Sequence, residues 1–127
     1  MGLIQNGKLT VASLGDSVCT IVRKDRSWSK LSEEHTTSRQ DEQLRILNSN
    51  GGFILKGKVK GELAVTRAFG NIELKNLIIS EPECVQTYLT AKDDLLILST
   101  DGLYRSLTQD HVVNRVRILR GQGKSLA

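Results

Sequence analysis

The chain has 127 residues, 39% of them hydrophobic and only 4% aromatic, with 18 Lys and Arg against 14 Asp and Glu for a formal net charge of +4. That bounds it to one modest domain whose core must be aliphatic, and it excludes an intrinsically disordered composition. The longest uninterrupted apolar run, residues 95–98, is far too short to span a bilayer, and so mild a positive charge permits an anionic partner without arguing for one.

The first ten residues, MGLIQNGKLT, carry neither a basic n-region nor an apolar h-region, so no secretory signal is expected. Met1-Gly2 is not followed by Ser or Thr at the sixth position, where Asn6 stands, which argues against myristoylation. KLTVASL contains the β-branched Thr10 and Val11 and reads as a strand. VCTIVRK reads as a second, and the intervening Gly-Asp-Ser makes the pair a hairpin on this reading. DRSWSKL adds a turn and a short third strand. Cys19 and Cys84 lie far apart and form neither a CxxC nor a metal-ligand spacing. They read as free thiols of a reducing compartment, cytoplasmic or nuclear.

From Ser38 the pattern changes. SRQDEQLRILNSNGG places Ser38 as N-cap, Asp41 three residues on, Leu44 and Leu47 on one face, and Asn50-Gly51 as the stop, a helix of roughly 10–12 residues. GFILKGKVKGELAVTRAFGN is broken by Gly57 and Gly61 into small strands and loops. PECVQTYLT reads as a strand, and DLLILST as a strand covered on both faces. TQDHVVNRVRILRG is a helix capped by Thr108, with Val112, Val113, Val116 and Leu119 along one stripe and Gly121 at its end. Strands that do not alternate with helices point to an α+β fold with antiparallel sheet.

Six stretches, in order, together resemble the metal-dependent serine/threonine protein phosphatases of type 2C. VASLGDSV at residues 11–18 is similar to the family's VANVGDSR, and LSEEH at 31–35 to its LS-x-DH turn. Glu42, Arg45, Ile46, Gly51 and Gly52 match a helix with spaced Glu and Arg-Ile followed by Gly-Gly. GELAVTRAFGN at 61–71 is similar to G-x-LAVSRALGD, residues 81–83 match EPE, and DDLLILSTDGLYRSL is similar to D-x-hhhLASDGLWDV. The resemblance runs over nearly the whole of residues 1–127 and implies the central portion of such a domain. The implied fold is a sandwich of antiparallel β-sheets flanked by α-helices, with a two-metal magnesium or manganese site at one end. Hard dications take oxygen ligands, so such a site is built from aspartates and water.

On that resemblance Asp101, in Thr-Asp-Gly, is a metal ligand, and Asp16, in Gly-Asp-Ser, is a ligand of an additional, weaker metal. Arg67 stands in the flap beside the active site as a candidate substrate-phosphate contact; a structural ion pair is the competing role. The residues alone allow Asp101-Gly102 to be a hairpin turn, but LYRSLTQDHVV, directly after it, heads into a helix rather than a strand. Asp16 equally suits a turn. His35 reads as a turn residue and His111 as an exposed helical one. The arginines of the last helix read as a solvated face, without the aromatic interleaving of a single-strand nucleic-acid binder.

The family also uses a DGHGG segment, an upstream Arg for the substrate phosphate and a late Asp-Asn; none of these occurs in the 127 residues. Asn71 stands where the family has a carboxylate, and Arg105 brings a cation to the metal end. No catalytic residue is assigned, and impaired hydrolysis by this chain alone is expected. The competing reading is a pseudophosphatase that binds a protein partner such as a kinase. Neither nucleic acid nor membrane is expected as a partner; a phosphoprotein is, and so is a homodimer that covers exposed sheet edges.

Overall fold

Asn6 and Gly7 turn the chain back on itself at once. Both are left-handed, at φ 50° and 73°, the geometry that an Asn-Gly type I′ turn adopts without strain. They join β1, Gly2–Gln5, to β2, Lys8–Ser13, with Gln5 opposite Lys8. In the computed structural model, which describes residues 1–123, β1 is an element the sequence pattern does not reveal. All four of its residues are exposed, so it has no burial alternation to read.

β3, Val18–Arg23, and β4, Trp28–Lys30, come next, and later β7, Glu83–Tyr88, and β8, Asp93–Ser99. They form two antiparallel three-stranded sheets, ordered β1-β2-β7 and β4-β3-β8. The hairpin expected between β2 and β3 is therefore not formed. Each is the centre of its own sheet, with both flanks taken by other strands, and residues 14–17 carry the chain from one sheet to the other. Burial accounts for the difference. β2 buries alternate residues, as a strand with one covered face does, whereas β3 buries five in succession. Leu9 and Val11 of β2 meet Cys19 of β3 between the sheets, with Leu96 of β8 packed against them.

β8 is less covered than its apolar run suggests: it is an edge strand, and Leu98 is 55% exposed. It does not turn back on itself but passes into α2, Asp101–Tyr104, and then α3, Gln109–Gly121. Thr108 caps α3, its hydroxyl accepting from the N–H of His111 at 3.3 Å. Val112 and Val113 are the buried part of its apolar stripe. α3 is held to the β4-β3-β8 sheet by Trp28 Nε1 donating to Asp110 at 2.7 Å and by Arg120 donating to Asp94 at 2.6 Å.

The remaining segment folds beside the sandwich. α1, Gln40–Leu47, is shorter than expected and starts after Arg39, not Ser38, with no side-chain cap. The orphan N-terminal amides there have acidic neighbours instead, Asp41 and Glu42 in the first turn. Ile46 of α1 packs with Val59, Leu74, Leu77 and Ile78 into a second small core. Val59 belongs to a two-residue-per-strand hairpin, β5, Ile54–Leu55, with β6, Lys58–Val59; Leu74 belongs to a 3-10 turn, Ile72–Leu74. Gly52 is required where α1 ends, since a Cβ there would lie 1.9 Å from the carbonyl oxygen of Ile46.

Candidate functional site

His35 joins the stretches that the sequence keeps apart. Its backbone N–H donates to the carbonyl of Gly15 at 2.8 Å, and its own carbonyl accepts from Thr66 at 2.8 Å. The loop before Asp16, the LSEEH turn and the strand-like segment before Arg67 are thus one backbone ladder, with Thr36 and Val65 bridged beside it. The imidazole is wholly buried, with Nδ1 3.2 Å from the same Gly15 carbonyl. A carbonyl only accepts, so Nδ1 carries the proton there. Among the described residues Nε2 has no hydrogen-bond partner, and it lies 3.5 Å from a carboxylate oxygen of Glu83. Reading His35 as a turn residue missed this burial; the sequence signal for it was the LSEEH motif itself, matched as a unit rather than read as a lone histidine.

Glu42 is the second centre. It is 1% exposed, on α1, and accepts from Arg45 at 2.8 Å, from the Thr66 hydroxyl, and from Arg67 Nε at 2.9 Å. Burial pushes its pKa up, but the hydrogen bonds from Arg67, Thr66 and Arg45 outweigh that and hold it at about 2. Arg45 also donates to the carbonyls of Leu77 and Thr66. Arg67 donates to the carbonyl of Glu81 at 3.0 Å and comes within 3.5 Å of Glu83. Glu83 at the start of β7 is gripped by Arg39 through two hydrogen bonds, one of 2.9 Å. These bonds lower the pKa of Glu83 and raise that of Arg39. Arg39 binds Asp41 as well, holding that carboxyl at about 2.

Burial lowers the His35 pKa, and the nearby Arg67 guanidinium adds to the effect, so the imidazole is neutral at physiological pH.

Asp101 stands at the junction of β8 and α2, as expected of a strand end that delivers a carboxylate. Its carboxylate is taken by Arg105, with Nε at 3.1 Å and Nη2 at 2.6 Å. Asp16 sits in the loop between β2 and β3, partly exposed. Between the sheets opens an apolar cavity of about 560 Å³, bordered by Cys19, Ser17, Phe69, Pro82, Leu98 and Thr100. Ser17 and Thr100, which line it, are the chain neighbours of Asp16 and Asp101; neither aspartate lines it. Arg67 does not line it; its three guanidinium nitrogens are engaged by Glu42, Glu81 and Glu83.

A two-metal centre needs several hard oxygen ligands converging on each ion. Among the described residues, no three His, Cys, Asp or Glu side chains gather into a group able to hold a metal. The acids that do cluster, Glu42 and Glu83, are neutralised by arginines. The residues present do not by themselves fit such a centre.

The Protein phosphatase 2C family matches residues 1–127. A probable protein phosphatase 2C of Arabidopsis thaliana, number 21, is 33% identical over 90% of this chain and 34% of its own length. The mitochondrial protein phosphatase 1K of Xenopus laevis is 40% identical over 81% of this chain and 29% of its own. The crystal structure of a serine-threonine phosphatase 2C from Toxoplasma gondii superposes with a TM-score of 0.85 at 25% identity, over 97% of this chain and 46% of that one. The chain spans about a third of the length of the curated relatives it matches. Its α+β sandwich, its ordered motifs and these matches agree: the chain belongs to the protein phosphatase 2C family.

Proposed function

We propose that this chain supplies the central part of a metal-dependent serine/threonine protein phosphatase, which hydrolyses phosphomonoesters of phosphoproteins. The observation that supports the reading is the β8–α2 junction, where Asp101 directly follows Thr100, a residue that lines the same opening as Ser17, the neighbour of Asp16. Magnesium or manganese is the dication we assign to the reaction; such ions lower the pKa of a bound water and offset charge on the transferring phosphoryl group. Asp101 is the proposed metal ligand of this segment, and Asp16 the proposed contact to a further, weaker ion. Arg67 is the proposed neighbour of the substrate phosphate. Its engagement with Glu42 and Glu83 supports a positioning role for it in the resting state, since meeting a phosphate requires release of at least one of those bonds.

With no ligand cluster of its own among the described residues, the isolated chain is expected to turn over phosphoesters poorly. Release of phosphate from a phosphothreonine peptide, with and without Mn²⁺, tests both statements. Metal-dependent turnover abolished by Asp101→Asn supports the phosphatase reading and overturns the expectation of impairment.

The Asp101–Arg105 pair favours a second reading: a pseudophosphatase module that binds a protein partner such as a kinase. Here the guanidinium occupies the acid that a metal would need. Absent turnover even when the rest of a phosphatase domain is supplied in the same chain would favour this reading over the first.

A further inference from the structure

The β5–β6 hairpin is packed on one face only. Ile54 and Val59 pair across it and pack with Ile46, Val59 being wholly buried. Strand alternation turns Phe53 and Leu55 to the opposite face, where they are 48% and 53% exposed. Cross-strand pairing sets Lys58 beside Leu55 on that same face. The N–H of Lys60 donates to the carbonyl of Phe53 at 2.9 Å, which brings Lys60 beside Phe53, and Lys56 stands at the tip. The outward face is therefore two half-exposed apolar side chains edged by three lysines. Among the described residues, none of the three lysines forms a salt bridge.

Two of these lysines occupy backbone that does not suit them. Lys56 and Lys60 each hold φ 50° and are each followed by a glycine, at 72° and 74°. The same chain makes the two-residue turn of Lys56-Gly57 at Asn6-Gly7 too, with a residue type that tolerates φ 50°, the value Lys60 also holds in the longer connection from Val59 to Leu63. Asparagine would serve the fold better at both places, so the cationic side chains are there for something other than the turn.

We propose that this face is a docking surface for an acidic peptide segment of a partner protein, Asp- or Glu-rich and carrying apolar side chains. The lysines complement the acids, while Phe53 and Leu55 take the apolar residues. A nucleic-acid backbone is the poorer occupant, because its binding grows with the number of phosphates neutralised and the hairpin offers three cations and a single aromatic ring. The surface does not depend on the phosphatase reading and is tested without turnover.

The probe is a fluorescein-labelled peptide of Asp, Glu and Leu, followed by anisotropy against the full chain. The comparison protein carries Lys56→Asn, Lys60→Asn and Lys58→Gln, which keeps both turns in favourable backbone. The expected result is binding that weakens with salt and falls by about tenfold in the triple variant, as loss of three exposed charge pairs implies. The thermal midpoint of the variant should be equal or higher, which separates lost charge from lost fold. Phe53→Ser should weaken binding while leaving its salt dependence intact. Absence of peptide binding, equal binding by the triple variant, or tighter binding to phosphatidylserine vesicles or single-stranded DNA than to the peptide would overturn the proposal.

Discussion

Arg67 closes on Glu42 so that Nε stands 2.9 Å from one carboxylate oxygen, while Arg45 holds the other at 2.8 Å. Removing this carboxylate leaves the Arg45 guanidinium without its carboxylate partner and Arg67 with only the more distant Glu83, at 3.5 Å. Glu42→Ala should therefore cost about 3 kcal/mol of stability, the range for breaking one side of a buried pair. Glu42→Gln keeps the shape and part of the hydrogen bonding and should cost less. Urea unfolding followed by tryptophan fluorescence reads both, and a loss below that of an ordinary surface substitution would mean the network carries little of the fold.

Acid should unfold the protein in two stages. The folded pKa of His35 lies below its ordinary 6.5 because burial, and then Arg67, disfavour the charged ring. The unfolded chain therefore takes up that proton first, and stability starts to fall as pH drops below about 6.5. The Glu42 carboxyl titrates near 2 in the fold against an ordinary 4.5. Its contribution is whole above about 4.5 and is lost as pH falls toward 2, on the order of 3 kcal/mol in all. Glu83 is depressed in the same direction by Arg39. His35→Gln should flatten the first stage and leave the second. Melting temperatures across pH 7 to 3 check this, and an unchanged first stage in the variant would assign it elsewhere.

The strands and the last helix were legible because their signals are local: alternation in β2, continuous apolarity in β3 and β8, a threonine cap before α3. The pairing of β2 and β3 was not, because Gly-Asp-Ser looks the same whether it closes a hairpin or passes the chain between facing sheets. Only the flanking strands, remote in sequence, decide. Asp101 was legible through its strand-to-helix junction. Arg105 was legible as a cation near that end, while its direct bond to Asp101 is a matter of rotamer and one helical turn. His35 was missed because a lone histidine in an acidic stretch gives no hint of burial. Its environment comes from Gly15, Thr66 and Glu83, which lie in three other segments.

Arg105, at the C-terminal cap of α2, acts as an internal counter-ion to Asp101 at the start of that helix. Both are substantially exposed, so the pair itself contributes little to stability. Its effect on a divalent cation is larger, because replacing a positive by a negative charge changes the local charge by two and the ion carries two more. Arg105→Asp should raise Mn²⁺ affinity by about tenfold at low salt, less at high salt. Asp101→Asn should lower it. Water-proton relaxation or calorimetric titration with Mn²⁺ reads the change without any need for turnover. Equal affinities in wild type and Arg105→Asp would show that Asp101 does not meet the cation.

Among the described residues, β7 and β8 each leave one edge of a sheet without a strand beside it, and β7 carries Val85 and Tyr88, 43% and 71% exposed. Open backbone donors and acceptors next to apolar side chains are the features by which strands add to one another. The chain is therefore expected to self-associate through these edges, with a two-fold antiparallel pairing of β7 against its copy the simplest closed arrangement. Val85→Lys places a charge on this edge strand, at the position opposite Val11 of β2, and circular dichroism checks that the fold is kept. Light scattering on a sizing column should find dimers in the wild type that dissociate on dilution, and a shift toward monomer in Val85→Lys. A wild type that elutes as a monomer at every concentration tested would remove the edge strands as the cause of association.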